Sequence, residues 1–181
     1  MFTTNQDNPN TTRSGSVSCA FYDGLVSFFF LRQTGKTSCF LFLSLLEKPI
    51  SILTSFATKG DGQYKVRGER ALSMMEELVA HSEWNFKNKH LLLKAEFHYS
   101  MKQSNMAAVC YKSSIEAAKK HKLIHEEALA NELAGLFFLD EGQRQESLSF
   151  FEQSTACYQA WGAFAVARRV DSVIEQEFRI S

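Results

Sequence analysis

Proline is almost missing from this chain. Only Pro9 and Pro49 occur, so nothing after residue 49 carries the side chain that breaks a helix most strongly. Glycine is sparse as well, at nine residues. No excess charge exists: 20 Lys and Arg balance 20 Asp and Glu, which excludes a general attraction to nucleic acid or to an anionic membrane. The four cysteines, Cys19, Cys39, Cys110 and Cys157, form no CxxC or CxH spacing. That pattern suits neither a zinc site nor a small disulfide framework, and free thiols in a reducing compartment are expected. No apolar core of a secretory signal appears in MFTTNQDNPNTTRSGSVSCA, so the chain is expected to be cytoplasmic and the Asn10-Thr11-Thr12 sequon unused. No long uncharged run exists either. The apolar stretch SCFLFLSLLEKPISILTSF raises the question of a membrane over 39–56, but Glu47-Lys48-Pro49 divides it. Neither half reaches the roughly 20 residues that a spanning helix needs.

Against these absences stand sixteen phenylalanines and long stretches of helical periodicity. Residues 1–20 are rich in Thr, Asn and Ser and are expected to be disordered. FYDGLVSFFFLRQT, 21–34, reads as a first helix punctuated by Gly35. Residues 35–63 are an atypical apolar insert and linker ending in the flexible Lys59-Gly60-Asp61-Gly62. From 64 to 181 the pattern is regular. Helices are predicted over 64–84, 86–102, 105–121, 124–140, 143–160 and 163–178. Gly68 weakens the first turn of the first of these. The joints are Gln103-Ser104, Lys122-Leu123, Glu141-Gly142 and Trp161-Gly162. Joints that short force neighbouring helices to run antiparallel, and the fold class is all-α.

Two of the predicted helix pairs match at a fixed offset. Ala95 corresponds to Gly135, Ala107 to Ser147, Tyr111 to Phe151 and Ser114 to Ser154, and 135 − 95, 147 − 107, 151 − 111 and 154 − 114 are all 40. The chemistry is small, small, aromatic, small. Small residues let two helices approach closely, and the aromatic fills the groove between successive pairs, which is the logic of a tetratricopeptide (TPR) unit. The period is longer than the about 34 residues usual for that repeat. Antiparallel pairs stacked as a TPR-like α-solenoid are therefore expected. At least three repeats are usually needed for such an array. Only two complete pairs are visible, with helices 21–33 and 64–82 as a disrupted first pair, and this suggests a piece of something longer.

The second half resembles the TPR-like helical region of large multidomain signalling proteins. Those proteins join a kinase-like domain and an AAA-type, ORC-like ATPase domain of the STAND class to this array, often followed by a sensor histidine kinase. The residues that carry the resemblance are Asn85-Phe86, Lys89, Ala95-Glu96, Ala107 with Tyr111, Ile115 with Ala118, Glu127-Ala128-Leu129-Ala130-Asn131-Glu132-Leu133-Ala134 and Tyr158-Gln159-Ala160-Trp161-Gly162-Ala163. The likeness covers about 64–178 and extends to 21–34. Residues 35–63 depart from it, which is what an untranslated stretch included in the coding sequence would produce. The resemblance implies a part in a signal-transduction assembly. The kinase and ATPase portions are not in this chain, and their activities do not carry over.

Candidate sites are few. Gly35-Lys36-Thr37 lacks the glycine that a phosphate loop needs five residues earlier, where Phe30 stands. His121 and His125 are separated by a helix joint and lack the Glu of a zinc-binding HExxH. Cys110 and Cys157 have no arranged His and Asp partners. Asn131-Glu132 is a polar pair inside an apolar helix, suited to structural hydrogen bonding or to lining a surface. Lys119-Lys120-His121-Lys122 ends a helix, where positive charge is favoured. The expected function is a non-catalytic scaffold for protein–protein interaction, with no cofactor, no metal and no nucleic acid. Glu96, Tyr99, Glu132 and Leu136 are expected on its concave, partner-binding face. Two other readings are an enzyme or sensor with a small-ligand pocket between helices, and a partial gene product without independent function.

Overall fold

The computed structural model describes residues 9–33 and 61–178. Within them the chain forms helices α1 (Pro9–Gln33), α2 (Asp61–His81), α3 (Glu83–Ser100), α4 (Ser104–Lys120), α5 (Ile124–Asp140), α6 (Arg144–Trp161) and α7 (Phe164–Phe178), and no strand. The all-α expectation holds over these residues. Helix α1 starts at Pro9 rather than at 21, so part of the segment expected to be disordered is helical. A proline tolerates a first turn because its missing N–H has no intrahelical partner there. The apolar insert, Cys39 and Gly35-Lys36-Thr37 lie outside the described residues. No described helix is long and apolar enough to cross a membrane.

The joints between α3 and α4, α4 and α5, and α5 and α6 share one backbone solution. In the first, Met101 N–H donates to the Phe97 carbonyl, Lys102 N–H to Tyr99 and Gln103 N–H to His98. His121, Lys122 and Leu123 repeat this on Ala117, Lys119 and Ala118, and Glu141, Gly142 and Gln143 repeat it on Phe137, Leu139 and Phe138. The bonds satisfy carbonyls that a helix end would otherwise leave bare. Each joint needs a left-handed residue at its second position. Gly142 supplies it with φ 76°, but Lys102 (φ 59°) and Lys122 (φ 57°) supply it with side chains that disfavour that region. Lys102→Gly is therefore expected to stabilise the fold by about 1 kcal/mol, read as a higher midpoint in urea denaturation. A lower midpoint would contradict the strained joint.

Each helix packs against the next, and α1 reaches α3 as well as α2. Packing is densest within α3/α4 and α5/α6 and thinner between α4 and α5. Helix α5 is buried nearly all round, from Ala128 to Phe138, as its run of apolar and small residues requires. One core cluster runs from α1 to α5 through Phe21, Leu25, Phe28, Met75, Leu93, Tyr111 and Leu133. A second joins α5, α6 and α7 through Ala128, Phe151, Tyr158, Ala167, Val170 and Val173. Two glycines seat aromatic rings in these contacts. A Cβ at Gly68 would stand 2.3 Å from the Phe28 ring, and one at Gly135 would stand 2.8 Å from the Phe151 ring. Gly68 thus lets α1 lie close on α2, which outweighs the helix propensity it forgoes.

Candidate functional site

The positions of the 40-residue repeat lie in the interior. Ala95, Ala107, Tyr111, Ser114, Gly135, Ser147, Phe151 and Ser154 are all buried. Two of the serines make the same bond one period apart: Ser114 Oγ donates to the Asn88 carbonyl at 2.7 Å, and Ser154 Oγ donates to the Ala128 carbonyl at 2.9 Å. Both bonds tie the second helix of a pair back to the first. Ser147 Oγ, where its counterpart is Ala107, donates to the Gly135 carbonyl at 2.7 Å.

The four residues expected on a concave face are not displayed together on an open surface. Glu96 and Glu132 are 1% and 2% exposed. Offset from the small positions gives the side of the helix, but it does not say what covers that side. Helix α1 covers Glu96 and helix α7 covers Glu132. Tyr99 is half-buried, with its hydroxyl donating to Asp140 and its ring 5.0 Å from that of Phe137. Leu136 is half-buried between the two core clusters.

Each buried glutamate is held by a tyrosine and an arginine. Arg32 of α1 pairs with Glu96 Oε2, and the Tyr111 hydroxyl of α4 donates to Glu96 Oε1 at 2.5 Å. The Arg32 guanidinium also lies 4.2 Å from the centre of the Tyr99 ring. Arg169 of α7 approaches Glu132 at 2.7 and 3.0 Å, and the Tyr158 hydroxyl of α6 donates to Glu132 at 3.0 Å. The carboxylate is displaced by one helical turn between the two: Glu96 + 40 is position 136, and Glu132 lies four residues before it. The arginine comes from two helices before the glutamate in one cluster and from two helices after it in the other.

Burial dominates the electrostatics here. It pushes Glu132 above the usual glutamate range, against the opposing pull of Arg169 and Tyr158. Burial followed by the Glu96 charge raises the Tyr111 phenol well above its ordinary value. Burial and Glu132 do the same to Tyr158. Burial would lower Arg32, but Glu96, Tyr111 and Tyr99 together outweigh it and hold the guanidinium above its ordinary range. Such groups stay bonded to one another, so the clusters act as fasteners between helices. Tyr111→Phe removes one donor from buried Glu96, and a loss of about 1–3 kcal/mol of unfolding free energy is expected in urea denaturation. An unchanged midpoint would mean that the hydroxyl is not holding the carboxylate.

The remaining candidates separate. His121 sets its ring edge-on to Trp84, at 6.5 Å between centroids, whereas His125 stacks on Trp161 at 5.1 Å. Glu126 is engaged by Lys89 and Asn88, with His125 Nε2 at 3.5 Å. Among the described residues, no group of three or more His, Cys, Asp or Glu side chains is placed to hold a metal ion. Burial, then Glu127, pushes the Cys157 thiol up to about 11, and burial raises Cys110, so neither favours the thiolate that nucleophilic chemistry needs. Cys19, Cys110 and Cys157 are free thiols. The paired Glu–Arg–Tyr clusters were beyond sequence reasoning, because Arg32 and Arg169 are distant in the chain from the glutamates they meet. The charged residues inside apolar helices were the only local signal. The chain matches no family model, and no curated protein or solved structure matches it.

Proposed function

We propose that this chain is a non-catalytic, TPR-like helical-repeat scaffold that binds other polypeptides, as part of a cytoplasmic signal-transduction assembly. The observation that carries the reading is the recurrence of one bond, Ser114 to Asn88 and Ser154 to Ala128, at the same 40-residue spacing as the small–aromatic–small pattern. A period kept in both sequence and hydrogen bonding favours stacked copies of one helix pair over an irregular bundle. Pairing α1 with α2, α3 with α4 and α5 with α6, with α7 following, agrees with where packing is densest. Arrays of this kind offer extended surfaces to partners. The buried glutamates Glu96 and Glu132 support the same reading, since each is engaged by an arginine and a tyrosine that fasten helices together.

Affinity capture by the purified full chain, followed by re-binding of each captured polypeptide in pure form, tests the proposal. A polypeptide that re-binds saturably is expected. If none is retained, and a small-molecule extract raises the melting temperature instead, the chain is a ligand-binding domain and the scaffold reading falls.

A further inference from the structure

The interior explains most of the large side chains, but not the two tryptophans. Trp84 and Trp161 are 55% and 54% exposed, and Phe164 is 60% exposed. Rings this open to water contribute little to the core. Their places follow the repeat. Trp84 is the second residue of α3, Ile124 opens α5 and Phe164 opens α7, and 124 − 84 and 164 − 124 are both 40. His81, His121 and Trp161 stand at the ends of α2, α4 and α6 at the same interval. Because consecutive helices reverse direction, the α2/α3, α4/α5 and α6/α7 turns share one edge of the molecule. The ring contacts of His121 with Trp84 and of His125 with Trp161 link these turns into a continuous rim.

The rim also carries a cluster of lysines. Lys119, Lys120 and Lys122 are exposed at its middle turn and make no ion pair among the described residues. Of the acidic groups around them, Glu83 pairs with Lys87 at 2.6 Å and Glu126 with Lys89, while exposed Glu116 stands one turn before Lys119 and Lys120 on α4. The dipole of α4 accounts for lysines in its last turn. It does not account for Lys122 beyond the helix, in a backbone conformation that favours glycine, or for the exposed tryptophans on either side.

We propose that this rim docks an acidic polypeptide segment carrying apolar side chains. Its carboxylates meet Lys119, Lys120 and Lys122, and its apolar groups cover Trp84 and Trp161. The inference rests on the scaffold reading and names the class of partner. Aromatic residues rimmed by charge are the usual composition of a protein contact, and unpaired lysines select a segment of opposite sign.

The test uses a feature of the sequence: Trp84 and Trp161 are the only tryptophans, so intrinsic fluorescence reports the rim directly. The full chain is titrated with a short synthetic peptide of glutamate interspersed with leucine. The same peptide with lysine for glutamate, and a single-stranded oligothymidine, serve as controls. A saturable change in tryptophan emission with the acidic peptide alone is expected. It should weaken at high salt and fall roughly tenfold or more in affinity in the triple variant Lys119→Ala, Lys120→Ala, Lys122→Ala. These are exposed positions, and circular dichroism verifies that the variant is folded. Equal or tighter binding of the lysine peptide or of oligothymidine overturns the proposal, the latter in favour of a nucleic-acid surface. No emission change with any probe overturns it too. That result leaves the scaffold reading intact, because capture and re-binding of a polypeptide do not depend on where it binds.

Discussion

Arg169→Ala is expected to lower the free energy of unfolding at neutral pH by about 3–5 kcal/mol, because it leaves a buried carboxylate without its counter-ion. Glu132 is 2% exposed, and Arg169 approaches it at 2.7 and 3.0 Å from α7. Only the Tyr158 hydroxyl would remain. The effect has a defined pH dependence. Burial already raises Glu132 above the range it has in the unfolded chain. A group raised in this way contributes stability below its unfolded value, and that contribution is lost as pH rises through the folded value. Removing Arg169 raises the folded value further. The deficit of the variant should therefore be largest at neutral and alkaline pH and should shrink on acidification toward the ordinary glutamate range, where a protonated Glu132 needs no cation. Urea denaturation followed by circular dichroism across that pH range reads the effect. A deficit that does not change with pH would mean that Arg169 acts through packing alone. The double variant Arg169→Met, Glu132→Leu removes both charges and should recover much of the loss, as replacement of a buried pair by apolar groups often does.

Phe151→Ala should cost a comparable amount, about 3–5 kcal/mol, through lost burial and the cavity left behind. The Phe151 ring is 1% exposed, faces Gly135 of α5 and sits 6.2 Å edge-on from Phe178 of α7. It therefore joins three helices at one point. Gly135→Val attacks the same contact from the other side: a Cβ alone would lie 2.8 Å from the ring, and the overpacking should cost about 1–3 kcal/mol. Urea midpoints of Gly135→Val, of Phe151→Leu and of the double variant that combines them measure the coupling. Strict additivity in the double variant would contradict direct seating of the ring on the glycine.

The helices from α3 onward were legible because their signals are local. Gly142 and Gly162 mark the joints where a left-handed residue is needed, with φ 76° and 88°. The small–aromatic–small spacing marks Ala95, Tyr111, Gly135 and Phe151, which are buried. The less visible features depend on something other than local pattern. Lys102 and Lys122 take the same left-handed conformation with no compositional sign of it. The Thr-, Asn- and Ser-rich opening hid the start of α1 at Pro9, because such residues favour turns as readily as a first helical turn. The sequence places Glu96 and Glu132 in their helices but does not say what lies over them. Whether a helix face is open depends on which helix lies over it, and here Arg32 and Arg169 arrive from α1 and α7. The exposed rim of Trp84, Trp161 and Phe164 likewise becomes visible only once the turns are known to share an edge.

The measurement that bears most directly on the proposed role is a calorimetric titration of the purified full chain with a polypeptide it has captured, with both masses recorded afterwards. A non-catalytic scaffold predicts one saturable isotherm of fixed stoichiometry and two unchanged masses. Absence of binding heat, together with cleavage or modification of the polypeptide during incubation, would show an enzyme instead and contradict the account.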